Sequence, residues 1–152
     1  MNLDRDIMNK QKKEFKRIVL AVDDSDSSRR AARKAVYIAK VTGIEITVLH
    51  VIYIPIVATP PPPAYIPNTR KTVEKNGKKL LDKMEKMGLD NGIKIKKKLL
   101  EGVPDDEIIK FARKNDIIIM GSKGHSALGR ILIGSTSENV LHHSNSTVMI
   151  VR

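Results

Sequence analysis

Five runs of apolar and β-branched residues recur along the chain: RIVLAV (17–22), IEITVLHVI (44–52), IKIKKKLLEG (93–102), DIIIM (116–120) and TVMIVR (147–152). Each has the length of a strand, and between them the apolar positions shift to the three-and-four spacing of one helix face. After the first run, DDSDSS supplies polar caps, and Ala32, Ala35, Val36 and Ala39 then form a stripe opposite Arg29, Arg30, Arg33, Lys34 and Lys40. Gly43 ends this helix in the left-handed conformation that a residue without Cβ adopts freely. Asn68 caps a second helix with Val73, Gly77, Leu80, Leu81, Met84 and Met87 on its inner side. Pro104 opens a third, with Asp105, Asp106 and Glu107 where the helix dipole favours negative charge and Ile108, Ile109 and Ala112 facing inward. TSENVLHHS (136–144) is the fourth, with one of His142 and His143 turned inward and the other solvated.

The order βαβαβαβαβ implies a parallel sheet with right-handed crossovers and helices on both faces. The near-continuous apolar second strand suits burial on both sides, and the lysines of the third mark an edge, where charge discourages pairing with other chains. The predicted fold class is α/β, a Rossmann-like three-layer sandwich with a five-stranded parallel sheet of order 3-2-1-4-5. In such sheets ligands bind beyond the carboxyl ends of the strands where the order reverses, which brings AVDDS (21–25) and GSKG (121–124) together. One stretch breaks the pattern. YIPIVATPPPPAYIP (53–67) is an insert whose prolines predict extended chain and exclude helix and ladder pairing, either a binding surface or a linker. Residues 1–15 read as a polar tail without the apolar core of a signal peptide, leaving 16–152 as one domain.

Composition narrows the classes further. The 152 residues suffice for one domain, and the absence of cysteine removes thiolate chemistry, disulfides and cysteine zinc sites, in keeping with a reducing, cytoplasmic setting. No apolar run approaches the about 20 residues that cross a bilayer, so no membrane association is expected. A net charge of +11 attracts polyanions, yet five aromatic residues without tryptophan make a poor stacking platform, and the lysines are spread over several elements. A solvated basic surface is expected rather than nucleic-acid binding.

The candidate chemistry lies in GSKGHSALGRILIGSTSENV (121–140), where glycines and a helix start expose backbone N–H groups suited to phosphate oxygens. Familiar motifs fail here. A Walker loop would need lysine and a hydroxyl where Arg130 and Ile131 stand, and a nucleophile elbow around Ser126 would need glycine at Leu128. A dinucleotide fingerprint would need glycine at Lys123 and a place after the first strand. His50, His125, His142 and His143 lack metal-ligand spacing.

The spacing that fits is Gly121-x2-Gly124-x9-Gly134-Ser135, and with it the chain resembles the universal stress protein family, in particular its ATP-binding branch. RIVLAVDDSDSSRRAARKAVYIAK, ITVLHV, EGVPDDEIIKFARKNDIIIMGSKG and GSTSENVLHHSNSTVMIVR read like successive blocks of that family across nearly all of residues 16–152. The resemblance implies the sheet order given above, a homodimer joined through strand 147–152, and ATP, ADP or AMP as ligand. Carried over by position, Ala21, Val22 and Asp23 stand at the strand end that meets adenosine, and Val51 where a residue packs on adenine. Gly121, Ser122, Lys123, Gly124, His125, Ser126 and Ala127 would surround phosphates and ribose. Gly134, Ser135, Thr136 and Ser137 would meet the phosphates at the fourth helix, with LGRILI (128–133) folding back between the two clamps.

Several of these residues have a competing structural use. An ionised Asp23 accepts hydrogen bonds only, which suits ribose hydroxyls, but it could instead cap the first helix, as could Asp24 or Ser25. Ser135 and Glu138 spell a capping box that would use the same hydroxyl. Lys123 and Arg130 either neutralise phosphate or remain solvated. Asp24 departs from the glycine frequent at that place in the family, and a second carboxylate beside a triphosphate calls for Mg²⁺ or Mn²⁺. No general base is evident and no catalytic residue is assigned. The expected function is an ATP-binding regulatory switch with slow hydrolysis at most. The alternatives are a nucleotidyl-transferring domain and a basic interaction protein that uses the fold without nucleotide.

Overall fold

The computed structural model describes residues 14–54, 65–123 and 133–152, the side chains of 65–68 excepted. Its elements follow the order β1 (Arg17–Ala21), α1 (Asp26–Thr42), β2 (Glu45–Ile52), α2 (Tyr65–Asp90), β3 (Ile95–Glu101), α3 (Pro104–Phe111), β4 (Asp116–Gly121), α4 (Ser135–His143) and β5 (Thr147–Val151). All pairings are parallel and the order is β3-β2-β1-β4-β5, as the pattern predicts. β3 lies at one edge, and its lysines there meet acids: Lys96 pairs with Glu45 at 2.8 Å, and Lys97 with Asp82 and Glu85 at 2.8 and 2.7 Å.

Alternation along the strands divides the core in two. Ile18, Leu20, Ile46, Val48 and Ile119 point to the face covered by α1 and α2, where Ala32, Ala35, Val36, Leu80 and Met84 close on them. Val19, Ala21, Leu49, Ile118 and Met120 point to the opposite face, with Ile108 of α3 and Val140 of α4. At the amino end of the sheet Arg17 pairs with the buried Asp116, donates to the Phe111 carbonyl at 3.3 Å and lies 4.7 Å over the Phe111 ring. Asp116 also accepts the Arg113 amide at 2.8 Å, so its charge is compensated on two sides.

Helix ends show where local signals were decisive. Ser25 caps α1 by accepting the Ser28 amide, and Gly43 closes it at φ 71° while donating to the Ala39 carbonyl. Pro104 occupies the first position of α3, as predicted. The start of α2 departs from the expectation. It begins at Tyr65, so Asn68 lies inside it and residues 65–67 belong to the helix rather than to extended chain. Proline is tolerated in a first turn because its missing N–H would have no intrahelical partner there. His142 and His143 are both exposed, against the expectation that one turns inward; Val140 is the buried residue of that turn.

Candidate functional site

Ala21, Leu49 and Met120 stand side by side in the register of β1, β2 and β4, at the end of the sheet where the chain leaves in opposite directions. A cleft of about 180 Å³ opens above them. Its described lining includes Val22, Asp23, Val51, Gly121, Lys123 and the start of α4 from Gly134 to Ser137. The floor is apolar because inward residues of parallel strands continue to their carboxyl ends, and Ile108 of α3 closes it from below.

Asp23 forms one wall and is fixed by the first turn of α1. Its Oδ1 accepts from the Ser25 amide at 3.0 Å and from the Ser25 hydroxyl, and its own amide donates to Ser28 Oγ at 3.0 Å. Oδ2 has no hydrogen bond among the described residues. The capping question at this end is therefore answered in favour of Ser25. Asp24 turns away and pairs with Arg29 at 3.0 Å. The guanidinium of Arg29, hydrogen-bonded to Asp26 and close to Asp24 and Asp23, is held more firmly protonated than usual. Asp24 is thus an exposed carboxylate, paired with Arg29 and absent from the described cleft lining, and gives no ground of its own for a protein-bound Mg²⁺ or Mn²⁺ there. Among the described residues no group of three or more His, Asp or Glu converges as metal ligands would.

The second wall joins the two glycine clusters directly. The Ser122 carbonyl accepts the Gly134 amide at 2.7 Å and the buried Ser137 hydroxyl at 3.1 Å, while the Ser122 amide donates to the Val151 carbonyl at 2.8 Å. Ser122 is therefore a buried tie beneath the site and is absent from the cleft lining. Gly134 is the N-cap of α4 and makes no side-chain cap bond. Ser135 stands one place inside the helix, so the expected capping box with Glu138 is not formed: the Glu138 amide bonds the Gly134 carbonyl at 2.9 Å in ordinary helical fashion. The first amides of α4 border the cleft without a side-chain cap among the described residues.

The structure brings Ala21, Val22, Asp23, Val51, Gly121, Lys123, Gly134, Ser135, Thr136 and Ser137 to one cleft. Gly124, His125, Ser126 and Ala127, and the stretch 128–133 except Ile133, lie outside the described residues. Leu49, His50, Pro104, Ile108 and Met120 also line the cleft and were not expected. Leu49 and Met120 follow from the register opposite Ala21, a signal the strand alternation carries once the order is known. His50 comes from the other face: its Nδ1–H donates to the Val22 carbonyl at 2.7 Å, and it lies close against Gly77 of α2, whose lack of a side chain leaves room for the ring.

The family model described as the universal stress protein family matches residues 14–152. The chain belongs to the universal stress protein family. A universal stress protein of Methanocaldococcus jannaschii is 36% identical over 141 residues, covering 91% of this chain and 82% of the relative. Among solved structures, the universal stress protein UspA from Lactobacillus plantarum superposes with a TM-score of 0.77 at 23% identity, covering 91% of this chain and 98% of that one. Two further family structures share the fold and carry a nucleotide. One, from Archaeoglobus fulgidus, is in complex with dAMP (TM-score 0.56, 23% identity, 91% and 98% covered). The other, from Arabidopsis thaliana, has AMP bound (TM-score 0.62, 18% identity, 89% and 90% covered). No helix among the described residues is long and apolar enough to cross a membrane.

Proposed function

We propose that this universal stress protein binds an adenine nucleotide, ATP or its relatives ADP and AMP, in the cleft between β1 and β4. It would act as a nucleotide-dependent regulatory switch with little hydrolysis of its own. The observation that carries the reading is the start of α4: amides that no side chain among the described residues caps, tied through Ser122 to the loop after β4. Such a terminus favours an anion through its unsatisfied donors and partial positive charge. Lys123 adds a cation at the rim, the apolar floor suits a purine, and Asp23 Oδ2, which accepts no hydrogen bond among the described residues, suits a ribose hydroxyl. Nucleotides in relatives of the same fold support the class of ligand. Magnesium or manganese would arrive on the nucleotide's own phosphates, since Asp23 is the one carboxylate among the described lining residues.

The switch has a physical route. Ser122 links the phosphate end of the cleft to Val151 of β5, and β5 pairs with β4 on one side only. Its outer backbone groups are where a second copy would add a strand, giving the homodimer through 147–152. We assign this assembly to the cytoplasm.

Protein purified gently and extracted with acid should release an adenine nucleotide, and the emptied protein should bind ATP saturably in the presence of Mg²⁺. Absence of both defeats the proposal.

A further inference from the structure

The two walls of the cleft come from distant parts of the chain, yet both are fastened to the same turn of α1. Ser25 and Ser28 hold Asp23, as described. The third serine of that turn, Ser27, reaches the other way. Its hydroxyl donates to the Lys123 carbonyl at 2.6 Å and its oxygen accepts the Lys123 amide at 3.3 Å, across 96 positions of sequence. All three serines are buried. The Ser25 and Ser27 oxygens are 3.3 Å apart, but each hydroxyl hydrogen is already given elsewhere, to Asp23 and to Lys123. That contact is packing, so the two anchors act separately rather than as one proton chain.

Gly121 makes the arrangement possible. A Cβ there would fall 2.7 Å from the carbonyl carbon of Ser27 and from the Ser28 amide nitrogen, so only glycine lets α1 come close enough for Ser27 to reach the loop. The buried hydroxyl therefore has a place in the site without lining it.

We propose that Ser27 is a positioning residue for nucleotide binding: its hydroxyl fixes the backbone at Lys123, the phosphate-side wall, relative to the Asp23 wall that meets the nucleoside. This rests on the nucleotide reading above. Ser27 touches no ligand, and its effect is felt by the phosphate end of the ligand and not by adenosine. Removing one such hydrogen bond from a preorganised anion site weakens binding by about five- to tenfold.

The experiment compares ATP and adenosine as competitors of a fluorescent adenine nucleotide on the full chain and its Ser27→Ala variant, alongside melting temperatures. Ser146→Ala is the control, because the Ser146 hydroxyl likewise donates to a distant backbone carbonyl, that of Arg113 at 2.9 Å, at the opposite end of the sheet. The expected result is a fall of about five- to tenfold in the ATP-to-adenosine affinity ratio for Ser27→Ala, and an unchanged ratio for Ser146→Ala. An unchanged ratio in Ser27→Ala, with ATP still bound, overturns the positioning role and leaves the nucleotide reading standing. A Ser27→Ala chain that no longer melts cooperatively assigns the hydroxyl to the fold and overturns it too. Wild-type protein that binds neither ligand removes the nucleotide reading and this inference together.

Discussion

Gly121 ends β4, and its worth lies in what it lacks. Adding one methyl group at Gly121→Ala would set a carbon 2.7 Å from backbone atoms of α1, which cannot rotate away as a side chain could. The expected cost is about 1–3 kcal/mol from overpacking, measured by urea denaturation, together with weaker ATP binding. Ser135 offers the opposite test. Because Gly134 holds the cap position and Ser135 makes no cap bond, Ser135→Ala should leave stability within about 0.5 kcal/mol. Ser25→Ala, which removes a formed cap, should cost about 1 kcal/mol in the same assay. If Ser135→Ala proved as costly as Ser25→Ala, the serine would be a capping residue after all. The STSE pattern at 135–138 allowed either outcome, since a capping box and a phosphate contact ask for the same hydroxyl. The capping box is excluded by the place of Gly134, whose amide bonds Ser122 and which holds the N-cap position itself.

Among the elements, β3 shows how a basic strand is kept at an edge. Glu45 is held below the usual carboxylate range by its hydrogen bond to Lys96, and Lys97 is held above the usual lysine range by Asp82 and Glu85. A carboxylate with a lowered folded pKa stabilises the fold above its unfolded value, and that contribution disappears as pH falls through the folded value. These groups lie at the surface and are screened by salt, so the effect is small. Glu45→Gln should therefore lower the melting temperature slightly at neutral pH and low salt, and not at all in acid or in high salt. A loss that persisted in high salt would mean that Glu45 does more than pair with Lys96. The periodicity of α2 from Val73 onward and the edge position of β3 were legible in the lysines and the apolar stripe. The start of α2 was not, because proline chemistry distinguishes helix interior from extended chain but is silent on the first turn, where both accept it.

Across the molecule, the ion pair between Arg17 and Asp116 fastens the amino ends of β1 and β4, opposite the cleft. Asp116 is 3% exposed, so Arg17→Ala would strand a buried carboxylate, at a cost of about 3–5 kcal/mol measured by denaturation. A nucleotide affinity preserved in the surviving folded fraction would show that the two ends of the sheet are independent. β5, paired on one side, predicts self-association: sedimentation at micromolar concentration should find a dimer, and Ile150→Pro, which removes an amide on the outer edge because its neighbour Val151 faces β4 and Ser122, should yield a monomer. A wild-type monomer under those conditions would count against a dimer through this edge.

The succession of strands and helices and the parallel sheet were readable from the chain alone, because apolar periodicity and turn chemistry are local and parallel crossovers have one favoured hand, while the 3-2-1-4-5 order came with the resemblance to the family. Most of the described cleft residues were named as well, by carrying positions over from the family that the sequence blocks resemble. Three things waited for the folded chain. Ser122 proved to be a tie beneath the site, Asp24 a partner of Arg29, and Ser27 an anchor for Lys123. Each depends on a hydrogen bond or ion pair whose geometry is set by how α1 and α4 pack on the sheet. A serine or an aspartate has several partners within its reach along the chain, and its burial and its neighbours after packing select one of them.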